Sequence, residues 1–249
     1  MAGGAWDRHG TAVARLLTRM PALRGEEQEA VRADLIALHA YLHTSEGPLS
    51  QEALARGLRE GEQRMVPYGA CVASGLRRMP SYRGIAFRGA GGTDGPGGGL
   101  PGPGVLEPGV LVCDPAPVPA LLLGAGASRP GGAQYVVWSV TGRRVRQLTG
   151  RPGGAQTGEE VVFPPGTLLR VLGVREEGGA PLILLREVPV AGPDAPVRHG
   201  GAELDADDRA VLDRLETSLR ACPVEPGGPG WQRLGAGPPG WAVGRPPSD

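Results

Sequence analysis

The chain changes character at Pro80. Before it, apolar side chains recur at helical spacing; after it, they come in short runs cut by Gly and Pro. Across residues 26–43, Val31, Leu35, Leu38 and Leu42 lie four, three and four residues apart, which places them on one face of a helix. Glu26, Glu27 and Glu29 fall in its first turns, where the helix dipole favours acids. A shorter helix over 11–19 is expected to end before Pro21. Gly47-Pro48 breaks the chain, and Ser50 is placed to cap a helix carrying Leu54 and Leu58. A further helical segment over 67–78 carries Val72 and Leu76 on its stripe.

Beyond Pro80 the strand-like runs are 84–88, 110–113, 120–123, 135–140, 160–163, 167–174 and 182–188. Their spacing and short turns predict mostly antiparallel β structure. Residues 89–104 are mostly Gly and Pro and read as a mobile loop, and 192–202 as another loop. A helix is expected over 205–221, with Val211, Leu215 and Leu219 four residues apart. Segregated helices and strands define an α+β fold: a helical N-terminal part packed on a two-sheet, mostly antiparallel β core. The expected organisation is an N-terminal segment 1–25, a main domain 26–190 (helical 26–79, β 80–190), a loop and helix 191–222, and a disordered tail 223–249.

The 43 glycines and 26 prolines make up over a quarter of the 249 residues, a level at which segments without a packed core are expected. The formal net charge is zero, so no electrostatic argument points to nucleic acid or a membrane. There is no lysine, which excludes Schiff-base lysine catalysis and a Walker-type phosphate loop. The all-arginine basic set reads as codon bias in a GC-rich genome. Cys71, Cys113 and Cys222 are too scattered to suggest a metal site or a disulfide framework. Of the histidines, His39 and His43 are four apart on a helix with no third ligand nearby in sequence, so no metal is expected. No signal-peptide h-region precedes Gly10, and the apolar runs fall far short of the ~20 residues of a membrane span. A cytoplasmic or non-classically secreted protein is expected on that basis.

Three local signals in the β part suit one chemistry. Arg88 ends an apolar strand just before Gly89. Ser139 and Thr141 end another, two apart and so on one side of it. Glu160 opens the apolar run Val161-Val162-Phe163, which stops at Pro164-Pro165-Gly166. Its neighbour Glu159 must face the opposite side of that strand. An arginine, a hydroxyl pair and a carboxylate fit cleavage of the nicotinamide–ribose bond of NAD, which passes through an oxocarbenium-like state as glycoside cleavage does. The carboxylate holds the ribose 2′-hydroxyl and stabilises the developing charge. The guanidinium grips the pyrophosphate. No metal or covalent nucleophile is needed.

These residues resemble the Arg–Ser–Glu class of ADP-ribosyltransferases, which includes clostridial C3-like toxins and vertebrate ectoenzymes. The resemblance covers roughly residues 27–190, and the acid strand is its most specific part. It implies that Arg88 is the strand arginine, with Phe87 as the usual aromatic, and that Tyr82-Arg83-Gly84 is an alternative match. It makes Ser139 the first hydroxyl of the Ser-x-Ser motif, Thr141 the last, and Glu160 the catalytic acid. Gly89 and Trp138 would adjoin the NAD cleft. Members that modify arginine usually carry Glu two residues before the catalytic acid, and others often Gln; here that position is Gly158. Gln156 and Glu159 are the candidates to replace it in the acceptor loop, which the short spacing from Ser139 to Glu160 keeps small. NAD would be the substrate, and the acceptor a protein, a nucleobase or a small molecule. Hydrolysis of NAD, and a degenerate module that binds NAD or a protein without turnover, stay open. Taken singly, each signal also has a structural reading: a surface arginine, turn-forming hydroxyls beside Gly142, an exposed strand start. Arg143 and Arg144 read as a solvated turn.

Overall fold

A computed structural model describes residues 3–19, 28–89, 106–123, 128–149, 159–189, 203–225 and 241–242. Four helices come first: α1 (Gly3–Arg19), α2 (Gln28–His43), α3 (Gln51–Arg59) and α4 (Val66–Arg77), with one 3-10 turn at Gln63–Met65. Ser50 caps α3 by accepting from the Ala53 N–H, as its position predicted. The first helix is longer than expected, because nothing in 3–10 breaks it and Val13 and Leu17 bury on its neighbours. Leu35, Leu38, Leu54, Val72 and Leu76 join them in one helical core. Burying each such side chain stabilises the fold by about 1.5–3 kcal/mol.

Helices α2 and α4 pack closely at Gly75. A Cβ there would lie 2.8 Å from the Asp34 carbonyl oxygen and 3.0 Å from the Leu38 Cβ. Gly75→Ala should therefore destabilise the protein by about 1–3 kcal/mol, despite alanine's better helix propensity, read as a lower urea midpoint.

The β part comprises β1 (Gly84–Gly89), β2 (Leu111–Cys113), β3 (Val118–Leu122), β4 (Arg129–Pro130), β5 (Gln134–Ser139), β6 (Arg143–Arg144), β7 (Glu159–Phe163), β8 (Leu168–Glu177), β9 (Ala180–Glu187), β10 (Val224–Glu225) and β11 (Trp241–Ala242). Nine of them hydrogen-bond in the order β11-β2-β8-β9-β5-β1-β3-β7-β6; β10 and β4 form a separate pair. All ladders are antiparallel except β5–β9 and β4–β10. Ala86, Tyr135, Val137, Val161, Phe163, Leu169, Ile183 and Leu185, drawn from strands along the width of the sheet, meet in one inner core. The outer face is covered in two places. Phe87, Val136 and Leu184 lie under α6 (Ala206–Ala221), and Val162 joins the helical core beside α5 (Arg146–Thr149).

The α+β class is as expected. Two corrections concern local structure. The segment after 223 was expected to lack structure, yet Val224–Glu225 and Trp241–Ala242 pair with β4 and β2. Edge strands accept any backbone that presents free N–H and C=O groups, so composition did not reveal these. The four-residue α5 lacks a full apolar period and left no sequence signal. The expected loops over 90–104 and 192–202 fall outside the described residues. Among the described residues, no helix is long and apolar enough to cross a membrane.

Candidate functional site

Strand order decides which residues can meet. The strand between arginine-bearing β1 and acid-bearing β7 is β3, and its sequence Val118-Pro119-Ala120-Leu121-Leu122 carries no hydroxyl. β5, which carries Ser139, lies on the other side of β1. Glu160 pairs with Leu121, and Leu121 with Phe87, so these three side chains share one face. Glu159 pairs with Leu122 and shares the opposite face with Val161.

Arg88 is buried, 6% exposed, opposite Tyr135 in the β1–β5 ladder. The β1–β3 ladder is registered only at Phe87↔Leu121, and beyond that point Arg88 Nη1 donates to the Pro119 carbonyl at 2.8 Å. Burial works against the guanidinium's charge, and Arg59 adds repulsion, while Tyr41 and Asp114 favour it. Tyr41 of α2 donates to the Pro117 carbonyl at 3.2 Å. Burial pushes its phenol well above the ordinary value; Arg88 opposes this, and Glu160 reinforces it. Tyr41 thus lies within electrostatic reach of both candidate residues. Asp114 is clamped by Arg59 through both carboxylate oxygens and accepts from the Ala116 N–H at 2.9 Å. Residues 115, 117 and 119 are prolines without N–H groups, so side chains from α2, α3 and β1 fix this segment instead.

Ser139 and Thr141 are not brought to Glu160. Ser139 is fully buried; its Oγ donates to the Tyr82 carbonyl and accepts from the Gly142 N–H, both at 3.1 Å. Gly142 separates that Oγ from Val161, whose side chain lies on the face opposite Glu160. The Glu187 carboxylate accepts from the Val140 N–H at 2.6 Å, the Thr141 N–H at 2.8 Å and the Thr141 hydroxyl. The paired hydroxyls therefore build the turn from β5 to β6. A Cβ on Gly142 would come within 2.5 Å of Ser139 Oγ and 2.9 Å of Val161 Cγ2. Gly142→Ala should cost about 1–3 kcal/mol, visible as a lower thermal midpoint.

The remaining candidates divide as follows. Arg83 is exposed beside Tyr82, while Gly89 is buried at the end of β1. Trp138 lies on the outer face with the Arg214 guanidinium 5.6 Å above its ring, away from Ser139. Glu159 pairs with Arg144 at 3.3 Å, and that guanidinium stacks 4.9 Å over Tyr82. Arg143 donates to the Met79 carbonyl at 3.1 Å. Gln156 and Gly158 lie outside the described residues. Among the described residues no group of three or more His, Cys, Asp or Glu is placed to hold a metal ion. Sequence reasoning missed Glu187, Tyr41 and the Arg59–Asp114 clamp. Glu187 left one signal, a lone acid closing an apolar strand; the others bridge distant segments and left none.

No protein-family model matches the sequence, and no curated protein matches it. Solved structures share its fold. The type III effector XopAI from Xanthomonas axonopodis pv. citri superposes with a TM-score of 0.54 at 20% identity, over 74% of this chain and 73% of that one. Exoenzyme S from Pseudomonas aeruginosa, solved with human 14-3-3 protein beta and bound to carba-NAD, gives a TM-score of 0.46 at 17% identity, over 78% and 95%. Vis toxin, an ADP-ribosyltransferase from Vibrio splendidus, gives 0.40 at 18%, over 78% and 87%. At such identities the XopAI likeness establishes fold alone, and the looser two carry no argument.

Proposed function

We propose that the chain carries out ADP-ribosyl chemistry on NAD, with Glu160 as the acid that holds the ribose and stabilises the oxocarbenium-like state. The observation that carries this reading is the acid itself, a half-buried carboxylate at the head of β7, one strand removed from the arginine-bearing β1 in the order β1-β3-β7. Two strand spacings of ~4.8 Å separate the two strands by about 10 Å, but in the registered ladders Phe87 shares the Glu160 face, while Arg88 lies with Ala86 and Tyr135 on the inner face. Glu160 is half-buried at the head of its strand, held by the Val145 N–H donating to its carbonyl at 3.3 Å. It is fixed yet not sealed off. When bound, NAD supplies the scissile bond and the leaving nicotinamide; Glu160 contributes a fixed negative charge beside the ribose.

A second reading has its own support. β3 offers no hydroxyl between the arginine and the acid, and the Arg88 guanidinium is engaged with Pro119. Both features favour a module that binds NAD or a protein partner without turning NAD over.

Incubation with labelled NAD, with and without cell lysate, separates the outcomes. Label on a macromolecule supports transfer, and free ADP-ribose alone supports hydrolysis. A thermal shift with NAD and no released nicotinamide supports the binding module. Neither shift nor turnover rejects NAD as the ligand.

A further inference from the structure

Three histidines meet where α1, α2 and α5 join. His9 Nδ1 and His39 Nδ1 lie 2.9 Å apart, although 30 residues separate them in sequence. The His39 ring stacks on His43 with centroids 4.2 Å apart, and His43 Nε2 donates to the Leu148 carbonyl at 2.8 Å. The His9–His39 bond needs one bare nitrogen and one N–H. Two imidazolium rings would instead aim N–H at N–H, with two like charges in contact.

We propose that this trio is a proton-sensitive latch: uptake of protons by the His9–His39 pair at acid pH undocks α1 from α2. Val13 and Leu17 are the buried apolar anchors of α1 in the helical core. Beside them runs an open groove lined by Trp6, Gly10 and Ile36.

The surrounding charges do not rescue the protonated rings. Arg8 of α1 adds positive charge next to His9. Asp7, Glu29 and Arg32 line the groove between α1 and α2. α5 contributes the Leu148 carbonyl and Arg146. α4 meets the other side of α2, where Ser74 and Arg78 engage Asp34 and Tyr68 donates to the Leu49 carbonyl. Among the described residues, no carboxylate belongs to the groups that shift either ring.

Burial, then His43 and Arg8, lower the His9 pKa. Burial, then His43 and His9, lower that of His39 to about 4. A ring held neutral when docked contributes fully above its ordinary value of 6.5, and the contribution is lost as pH falls toward 4. For His39 alone, moving from about pH 7 to about pH 5 weakens docking by at most roughly twenty-fold, the limit reached if undocking returned it to its ordinary value; His43, on α2 itself, stays beside it.

Hydrogen exchange of the full chain at about pH 7 and about pH 5, corrected for intrinsic rates, tests this. Protection of peptides from α1 should fall several-fold, by up to about twenty-fold, while that of β8 and β9 holds. In His39→Gln, which keeps a hydrogen-bonding side chain without a titrating one, the pH difference in α1 should shrink to what His9 alone contributes. Should that variant not fold, His9→Gln carries the same comparison from the other ring. Equal α1 protection at both pH values in the wild type overturns the latch. So does an undiminished pH difference in the variant that folds.

Discussion

Glu160→Gln should reduce nicotinamide release from NAD by about 10²-fold or more, the usual cost of removing one group aimed at transition-state charge. Glutamine keeps the size of the side chain and can still hydrogen-bond a ribose hydroxyl. It cannot stabilise a cationic sugar. Loss should therefore appear in kcat rather than in NAD affinity. The thermal midpoint should barely move, because Glu160 is half-buried at a strand start and not in the apolar core. Glu176→Gln, on the exposed arm of β8, serves as the control. The companion change Glu159→Gln tests the face assignment, since the two acids point to opposite sides of β7. If Glu159→Gln removes the activity and Glu160→Gln spares it, the acid has been assigned to the wrong face. If neither matters to a measurable turnover, the chemistry lies elsewhere.

The largest effect on stability is expected from Asp208→Ala. Asp208 is fully buried and is contacted by Arg170 Nε at 3.0 Å and Arg186 Nε at 2.5 Å. These contacts are ionic rather than well-aligned hydrogen bonds at Nε. Its side chain also closes the capping box of α6 by accepting from the Asp205 N–H at 3.0 Å. Removing it leaves two largely buried guanidinium groups facing each other without their shared counter-charge. A cost of about 3–5 kcal/mol is expected. In a chain of this size that lowers the thermal midpoint by on the order of 10 °C. The exposed neighbour Asp207→Ala should cost no more than about 0.5 kcal/mol. A triple change of Arg170, Arg186 and Asp208 to apolar residues of similar volume should recover much of the loss, because a buried ion triad often adds little over good packing. Equal midpoints for Asp207→Ala and Asp208→Ala would show that α6 is held by Leu215 and Leu219 alone.

What could be read before folding follows from locality. Helical stripes at Leu35 and Leu38, the Ser50 cap and the alternation at Glu159 and Glu160 depend on neighbours within a turn or a pleat. Each was legible, and each stands as expected. The same local logic could not show what Ser139 and Thr141 bond to. Both hydroxyls do share a side of the strand end, but their partner, Glu187, lies 46 residues from Thr141. Arg88 was read correctly as a strand terminus, yet nothing in its surroundings in sequence announced that its guanidinium would be buried against Pro119.

The chain's sequence alone determined its division at Pro80, its helices, most of its strands and that two adjacent acids face opposite sides of β7. These depend on φ/ψ preference and side-chain period, which act over a few residues. Tertiary structure alone decided that β3, without a hydroxyl, stands between Arg88 and Glu160. It also decided that Tyr41 bonds the Pro117 carbonyl, that Glu187 claims the β5 turn, and that His9 meets His39. Those outcomes depend on strand order and helix docking, where the partners are far apart in the chain and chosen by the packing of the whole.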